Sequence, residues 1–421
     1  MTNIVAIILA AGRGTRMKSE TPKVLHRILG KPIIDYVLES IKGAGVPEII
    51  LVAGYGSALL RDAVKDTRIV VQKELLGSGD AVKTVKKAFR NYPGNVLVVC
   101  GDTPLIRSET IKGLIEKHTS SGASATVLTA KLSDPTGYGR IARDDAGRVS
   151  GIVEQEKTNL YEEVINEINA GTYCFKTADL FRALESVKPN NKKKEIFLTD
   201  AIAILKNKGA LIESYLAEDP DEAIGVNTRR DLAASSAILK ERIAEELMLE
   251  GVTIQDPAST VIYPGVKIGK DTTIYSNTVI ESDVEIGARC SIGPFARIRP
   301  HVCIGNDVEI GNFVELNRTK VGDDTKIKHH TYLGDAIVGK KVNIGAGTIT
   351  ANYDGKSKNR TVIEDGAFLG VGAILIAPVK IGSLATVGAG SVVPKNHNVP
   401  KGATVVGVPA RIYKKKKTKR G

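Results

Sequence analysis

VKIGKDTTIYSNTVIESDVEIGARCSIGPFARIRPHVCIGNDVEIGNFVEL, residues 266–316, puts an aliphatic residue at every sixth position: Ile268, Ile274, Ile280, Ile286, Ile292, Ile298, Ile304, Ile310 and Leu316. Two residues before each stands Val, Thr, Cys or Ala. Neither an α-helix nor an ordinary sheet generates a six-residue beat. A parallel β-helix does, because each flat face takes one hexapeptide and three faces close a coil. The beat breaks after Leu316 and returns at Ile363, Leu369, Leu375, Ile381, Val387 and Val393. This reading assigns residues 251–408 to a β-helix and leaves the rest of the chain to a different fold.

Residues 1–227 lack the beat and alternate apolar strands with amphipathic helices. Strands are predicted at Ile4–Leu9, Glu48–Ala53 and Asn95–Cys100, and helices at Ile33–Ala44 and Gly79–Phe89. This rhythm predicts an α/β domain, a mostly parallel, doubly wound sheet with helices on both faces. Ligands in such sheets bind beyond the carboxyl ends of the strands. Chemistry is therefore expected just after Leu9 and Cys100. Residues 228–250 contain neither Gly nor Pro and stop at Gly251, so they read as a helical linker.

The chain has 421 residues, enough for more than one domain, and 42% hydrophobic content, enough for a large core. None of its 4 Cys forms a CxxC pair, so neither a disulfide framework nor a zinc ribbon is expected. The start has no charged leader, and a cytoplasmic, reducing setting fits. The formal charge of +12 is concentrated in part at residues 409–421, a basic tail with Lys414–Lys417, Lys419 and Arg420. Such a block reads as a solvated tail or as an electrostatic lure for anions. With no Trp and 5% aromatics, nucleic acid is not an expected partner, nor is a membrane.

The first motif is Leu9-Ala10-Ala11-Gly12-Arg13-Gly14-Thr15-Arg16-Met17. Small residues let backbone N–H groups approach a phosphate. Arg16, and Lys23 in Pro22-Lys23-Val24-Leu25, add charge against a triphosphate. The spacing fits neither a Walker loop nor the dinucleotide fingerprint. A second loop, Cys100-Gly101-Asp102-Thr103-Pro104, ends a buried strand on a carboxylate that suits Mg²⁺; by itself, Asp102 also reads as a helix cap or a turn residue.

In the second half, polar residues gather where the beat breaks: Lys328-His329-His330-Thr331-Tyr332-Leu333-Gly334-Asp335, Val342-Asn343-Ile344-Gly345-Ala346-Gly347-Thr348 and Asn352-Tyr353-Asp354-Gly355. His329 is suited to taking a proton from an attacking amine near neutral pH, and the Gly345–Gly347 turn to offering N–H groups to an oxyanion.

Through LAAGRGTRM and PKVL the chain resembles the sugar-1-phosphate nucleotidyltransferases. Gln72 with Gly77-Ser78-Gly79-Asp80, the segment Asp134–Ile141, Ile152–Gln155, Glu167–Gly171 and Gly225-Val226-Asn227 extend the match. Joined to a hexapeptide β-helix, the whole chain resembles the bifunctional N-acetylglucosamine-1-phosphate uridyltransferases that are also glucosamine-1-phosphate N-acetyltransferases. The resemblance implies a Rossmann-like domain followed by a left-handed β-helix. It implies synthesis of UDP-N-acetylglucosamine, a cell-wall precursor, from UTP, acetyl-CoA and sugar phosphates.

The resemblance also implies site roles. Leu9, Ala10, Ala11, Gly12, Lys23, Gln72, Gly77 and Ser78 would hold the nucleotide. Gly101, Gly139, Glu154, Asn169 and Asn227 would hold the sugar, and Asp102 with Asn227 would hold Mg²⁺. Arg16 and Lys23 would assist catalysis at the phosphates. In the β-helix, His329 would be the general base, with Arg299, Tyr332 and Asn343 on the sugar phosphate. Ala346, Asn352, Tyr353 and Ala389 would contact acetyl-CoA. A homotrimer is implied. Two positions depart from the family: its phosphate-contacting lysine falls at Asn317, and a coenzyme-contacting serine at Val371. They keep an alternative in view, a nucleotidyltransferase for another sugar or nucleotide whose β-helix only oligomerises or regulates.

Overall fold

The computed structural model describes residues 3–65, 67–155, 158, 160–187 and 195–413. The basic residues 414–421 lie outside the described residues. The chain divides into two compact units, 1–238 and 239–421, and the dividing line falls inside helix Arg229–Leu249.

The first unit is built on a twisted sheet. Its main strand order is Ile212–Leu216, Ala125–Lys131, Glu167–Lys176, Asn95–Cys100, Ile4–Ala10, Glu48–Ala53, Arg68–Val71. Alternate residues of Ile4–Ala10 enter different cores: Ile4, Ala6 and Ile8 on one side, Val5 and Ile7 on the other. Both faces are thus covered, which is why the strand reads as a continuous apolar run. The helix begins at Ile33 as expected and ends at Gly43. The expected helix over 79–89 divides into Ser78–Thr84 and a 3₁₀ turn, Lys86–Phe89.

The sheet is less parallel than expected in one place. Glu167–Lys176 runs antiparallel to both its neighbours. It also slips register between Asn169 and Tyr173, at Gly171 with φ 72°. A bulge of this kind turns side chains away from the ladder, here at the strand end that carries Asn169.

The second unit is a left-handed parallel β-helix of three sheets, parallel throughout except for the last strand, Arg411–Ile412, which pairs antiparallel with Thr404–Val406. Residues 18 apart stack: Ile274, Ile292 and Ile310 on the first face, Ile280, Ile298 and Leu316 on the second, Ile268, Ile286 and Ile304 on the third. Each buried Ile contributes about 1.5–3 kcal/mol, so the beat is the sequence image of one continuous core. Ala244 and Leu247 of the helix join this core and cover its first coil.

The apparent break after Leu316 is corrected by the register. The core column continues through Val321, Ile327, Leu333, Val338, Ile344 and Thr350. Two steps lose one residue each, at corners occupied by Arg318 (φ 50°) and Asp335 (φ 51°). These corners stack, with Asp335 N–H donating to Asn317 O at 3.0 Å, and the Arg318 guanidinium grips the Asp335 carboxylate at 2.6 and 2.9 Å. The one long step, Thr350 to Ile363, holds the loop that carries Asn352 and Tyr353. The solenoid never stops; it changes its stride where polar side chains are needed.

Candidate functional sites, one in each unit

Strands Ile4–Ala10 and Asn95–Cys100 are parallel neighbours, with Leu9 opposite Cys100. Their carboxyl ends therefore deliver Gly12 and Asp102 to the same place. A cleft of about 780 Å³ opens there, lined by Leu9, Ala10, Ala11, Gly12, Lys23, Gln72, Gly77, Ser78 and Asp102 among others. A side chain at Gly12 would meet nothing within 4 Å, so this glycine faces open space and leaves its backbone accessible. Gly77 is a different case. Its φ is 99°, and a Cβ there would lie 2.5 Å from Ile196 O, so the loop closes only with glycine. Ser78 Oγ accepts from the Leu198 N–H at 3.0 Å, which ties the same loop down.

Charge collects at the mouth of the cleft. The Lys23 ammonium pairs with Asp102 and donates to Asn227 Oδ1 at 2.9 Å. Arg16 Nη2 reaches the same Asn227 oxygen at 3.0 Å. Asp102 and Asn227 thus present two hard oxygens to a single cation, as a Mg²⁺ site completed by phosphates and water requires. Among the described residues no group of three or more His, Cys, Asp or Glu side chains forms a metal cage.

Farther along, Asn169 N–H donates to Gly139 O at 2.9 Å, its Nδ2 to Tyr173 Oη at 2.7 Å, and Glu154 Oε1 accepts from Thr199 Oγ1 at 2.7 Å. A Cβ on Gly139 would lie 3.6 Å from Glu154 Oε2, so these residues form one cluster. Gly101 N–H donates to Leu9 O at 2.9 Å and so belongs to the strand pairing as well as to the loop. Burial, reinforced by the Asp102 charge, pushes the Cys100 thiol up to about 12, so it is no nucleophile here.

Two residues of this region carried no expectation. Asp231 accepts from the Asn227 and Thr228 N–H groups at 2.9 and 2.8 Å, while its own N–H reaches Thr228 Oγ1 at 3.2 Å. This is a capping box, legible as Thr228-x-x-Asp231, and it fixes Asn227 at a helix start. Tyr138, whose phenol burial pushes up, packs beside Gly225.

In the β-helix the candidate residues fall into two groups. His329 closes a first-face strand, Lys326–His329. Its Nδ1 lies 2.9 Å from Asn312 Oδ1, one coil earlier. With that oxygen accepting, Nδ1 carries the proton and Nε2 keeps its lone pair for a substrate. Ala346, Val371 and Ala389 line the same edge in successive coils, joined by Gly372 N–H to Ala346 O and Gly390 N–H to Val371 O, both 2.7 Å. Asn343 stands on the first face above Lys326.

The second group lies along the second face and its far edge. Arg299 Nη1 donates to Glu315 at 2.9 Å, while its Nε is a buried donor without an acceptor among the described residues. A buried guanidinium donor left open fits an anionic ligand. Asn317 is buried, and its Oδ1 accepts from Arg318 Nη1 at 3.0 Å. Asn352 Nδ2 donates to Asp335 at 2.5 Å. A Cβ on Gly334 would lie 2.5 Å from the Tyr332 hydroxyl and 2.6 Å from Asn352 Nδ2, so this glycine lets the two approach. Tyr353 is exposed, with its hydroxyl on Gly355 O at 2.7 Å.

Tyr332 begins the second-face strand, just past the corner from His329. Arg299, Asn317 and Asn352 sit at the opposite edge of that face. One chain therefore keeps His329 and Arg299 a face apart.

Residues 5–221 match the family model described as nucleotidyl transferase, and residues 284–394 the one described as GMPPB C-terminal domain. The chain is 43% identical over 435 residues to the bifunctional protein GlmU of Heliobacterium modesticaldum, covering 95% of this chain and 94% of that protein. It is 44% identical over 448 residues to that of Geobacillus thermodenitrificans, covering 98% and 97%. For Shouchella clausii the identity is 41% over 448 residues, with 98% of each covered. Matches that run end to end through both units do not favour a nucleotidyltransferase merely borrowing a β-helix. The chain belongs to the GlmU family of bifunctional enzymes, with a nucleotidyltransferase unit ahead of a β-helical transferase unit.

Proposed function

We propose that the β-helix acetylates glucosamine-1-phosphate from acetyl-CoA, and that the first unit transfers uridylyl from UTP to the resulting N-acetylglucosamine-1-phosphate. The observation that carries this is the meeting of Lys23, Arg16, Asp102 and Asn227 at the mouth of a cleft floored by Leu9–Gly12. In uridylyl transfer, a phosphate oxygen of the sugar attacks the α-phosphorus of UTP in line, and the bond to the β-phosphate breaks to release pyrophosphate. Such a step needs positioning and charge neutralisation more than covalent help. Arg16 and Lys23 offset the phosphates. Lys23 can leave Asp102 and Asn227 free to hold Mg²⁺, which supplies further charge neutralisation when bound. Leu9–Gly12, Gln72, Gly77 and Ser78 hold the nucleotide; Gly101, Gly139, Glu154, Asn169 and Asn227 hold the sugar.

In acetyl transfer, His329 Nε2 takes a proton from the amine as its nitrogen attacks the thioester carbonyl. The C–S bond then breaks and the thiolate is protonated. Arg299, Tyr332 and Asn343 hold the sugar phosphate, and Ala346, Asn352, Tyr353 and Ala389 the acetyl-CoA. The face-wide separation of His329 from Arg299 favours a closed ring of three chains, in which the edge of one copy meets the opposite edge of the next. Exposed Ile349, Phe368 and Val371 on these surfaces fit that packing. Among the described residues no helix is long and apolar enough to cross a membrane, and the substrates are small and water-soluble, which suits a cytoplasmic enzyme.

The test is Asp102→Ala assayed for pyrophosphate release from UTP and N-acetylglucosamine-1-phosphate over a Mg²⁺ series. A drop of about 10²–10³-fold is expected from losing an electrostatic contact to the transferring phosphates. An unchanged rate and Mg²⁺ dependence would remove the proposed site.

A further inference from the structure

We infer that Asp80 is a positioning residue for base selection: it locks the amide of Gln72 so that the nucleotide cleft accepts uracil and rejects cytosine. The inference rests on the uridylyl-transfer reading of the first unit.

Gln72 follows strand Arg68–Val71 and is 4% exposed. Its backbone N–H is used on Ala53 O at 2.8 Å. Its Nε2 donates to Asp80 Oδ2 at 2.8 Å and to Gly77 O at 3.2 Å. A carboxylate and a carbonyl only accept, so both amide N–H groups are committed. Turning the amide over would set Oε1 against two acceptor oxygens in a poorly hydrated position, which is strongly unfavourable. The amide is therefore held in one orientation. Its Oε1 receives no hydrogen bond from the described residues, and Gln72 lines the cleft beside Gly12, Gly77 and Ser78.

A fixed acceptor in the cleft selects a base that offers a ring N–H. Uracil carries a proton on its ring nitrogen N3, between two carbonyls. Cytosine carries a lone pair there and would face Gln72 lone pair to lone pair. A site built to hydrogen-bond a substrate N–H rejects the analogue lacking it because its own polar group is left unpaired. Held only by Gly77 O, at the longer 3.2 Å, the amide would turn far more readily and serve either base. Asp80, the third residue of helix Ser78–Thr84, removes that freedom. An acidic residue in a first helical turn also suits the helix dipole, but that role is indifferent to which base is bound.

The experiment compares kcat and KM for UTP and CTP in the full-length enzyme, with N-acetylglucosamine-1-phosphate as acceptor. Asp80→Asn keeps the shape but offers either an acceptor or a donor, so Gln72 can turn. The expected result is a fall of about tenfold or more in the UTP-to-CTP ratio of kcat/KM, carried by KM, with kcat for UTP retained. Asp80→Glu, which restores an acceptor-only group, is expected to recover part of the ratio. A ratio unchanged in Asp80→Asn, while Gln72→Ala collapses it, would overturn the role of Asp80 and leave the cleft assignment standing. A ratio unchanged in both variants would overturn the reading of Gln72 at the base as well. Acetyl transfer by the second unit serves as the internal standard for the amount of folded enzyme.

Discussion

The two units solve the problem of gathering a site in opposite ways. In the first, parallel strands ending side by side bring residues from distant parts of the chain together: Gly12, Lys23, Asp102 and Asn227 meet within one fold. In the second, stacking brings together residues one or two coils apart, such as Asn312 with His329, Arg318 with Asp335 or Asp354 with Lys395. Residues on different edges of the prism stay apart. On the proposed reading, the sheet completes its site within one chain, whereas the solenoid completes lines of residues that a second copy would have to join. The first unit should therefore work as a monomer, and the second should not.

The largest effect that would sharpen this contrast is expected from His329→Ala. Acetyl transfer should fall about 10²–10⁴-fold, the usual worth of a general base, with uridylyl transfer unchanged. Next is Ile349→Glu, which places a charge on an exposed apolar site stacked on Tyr332. An unpaired carboxylate buried in an apolar interface costs several kcal/mol. Light scattering should show dissociation, and acetyl transfer should fall at least about tenfold at a protein concentration where uridylyl transfer holds. Retained assembly with full acetyl transfer would break the comparison.

A smaller effect is expected at Asn312→Ala. If Asn312 only orients His329, kcat for acetyl transfer should drop about tenfold with KM for acetyl-CoA little changed, in line with the worth of an outer hydrogen-bond partner. A change confined to KM would assign Asn312 to substrate instead.

The smallest effect concerns the shortened corners. Arg318 holds the Asp335 carboxyl below the ordinary carboxylate range. A depressed carboxyl adds stability above its unfolded pKa and loses it as pH falls through the folded value. Asp335→Asn should thus destabilise the β-helix by about 1–3 kcal/mol near pH 7. The difference should shrink as the parent is acidified below about pH 4. An unvarying difference would deny the ion pair its role.

Much of this was legible in the sequence. The hexapeptide beat predicts the solenoid because each aliphatic residue answers directly to one face. The motif after Leu9 predicts a ligand loop because strand ends in parallel sheets are where ligands sit. The continuation through Val321 to Thr350 was hidden, since removing one residue at Arg318 and another at Asp335 destroys a fixed period without disturbing the stack. The antiparallel strand Glu167–Lys176 was equally hidden, because a buried strand looks alike in either direction. Orienting residues were hardest to see. Asn312 lies one coil from His329, and Asp80 acts through Gln72 across a glycine turn; neither spacing is a recognised local pattern. Asp231 was the exception, since Thr228-x-x-Asp231 is a capping signature.

The most direct test is free-thiol release when the purified enzyme meets acetyl-CoA and glucosamine-1-phosphate, with a control lacking the sugar. Two working units predict sugar-dependent thiol that disappears in His329→Ala, while pyrophosphate release from UTP and N-acetylglucosamine-1-phosphate continues. No sugar-dependent thiol, in a preparation that still releases pyrophosphate, would contradict it and leave the β-helix as a stem for a uridyltransferase.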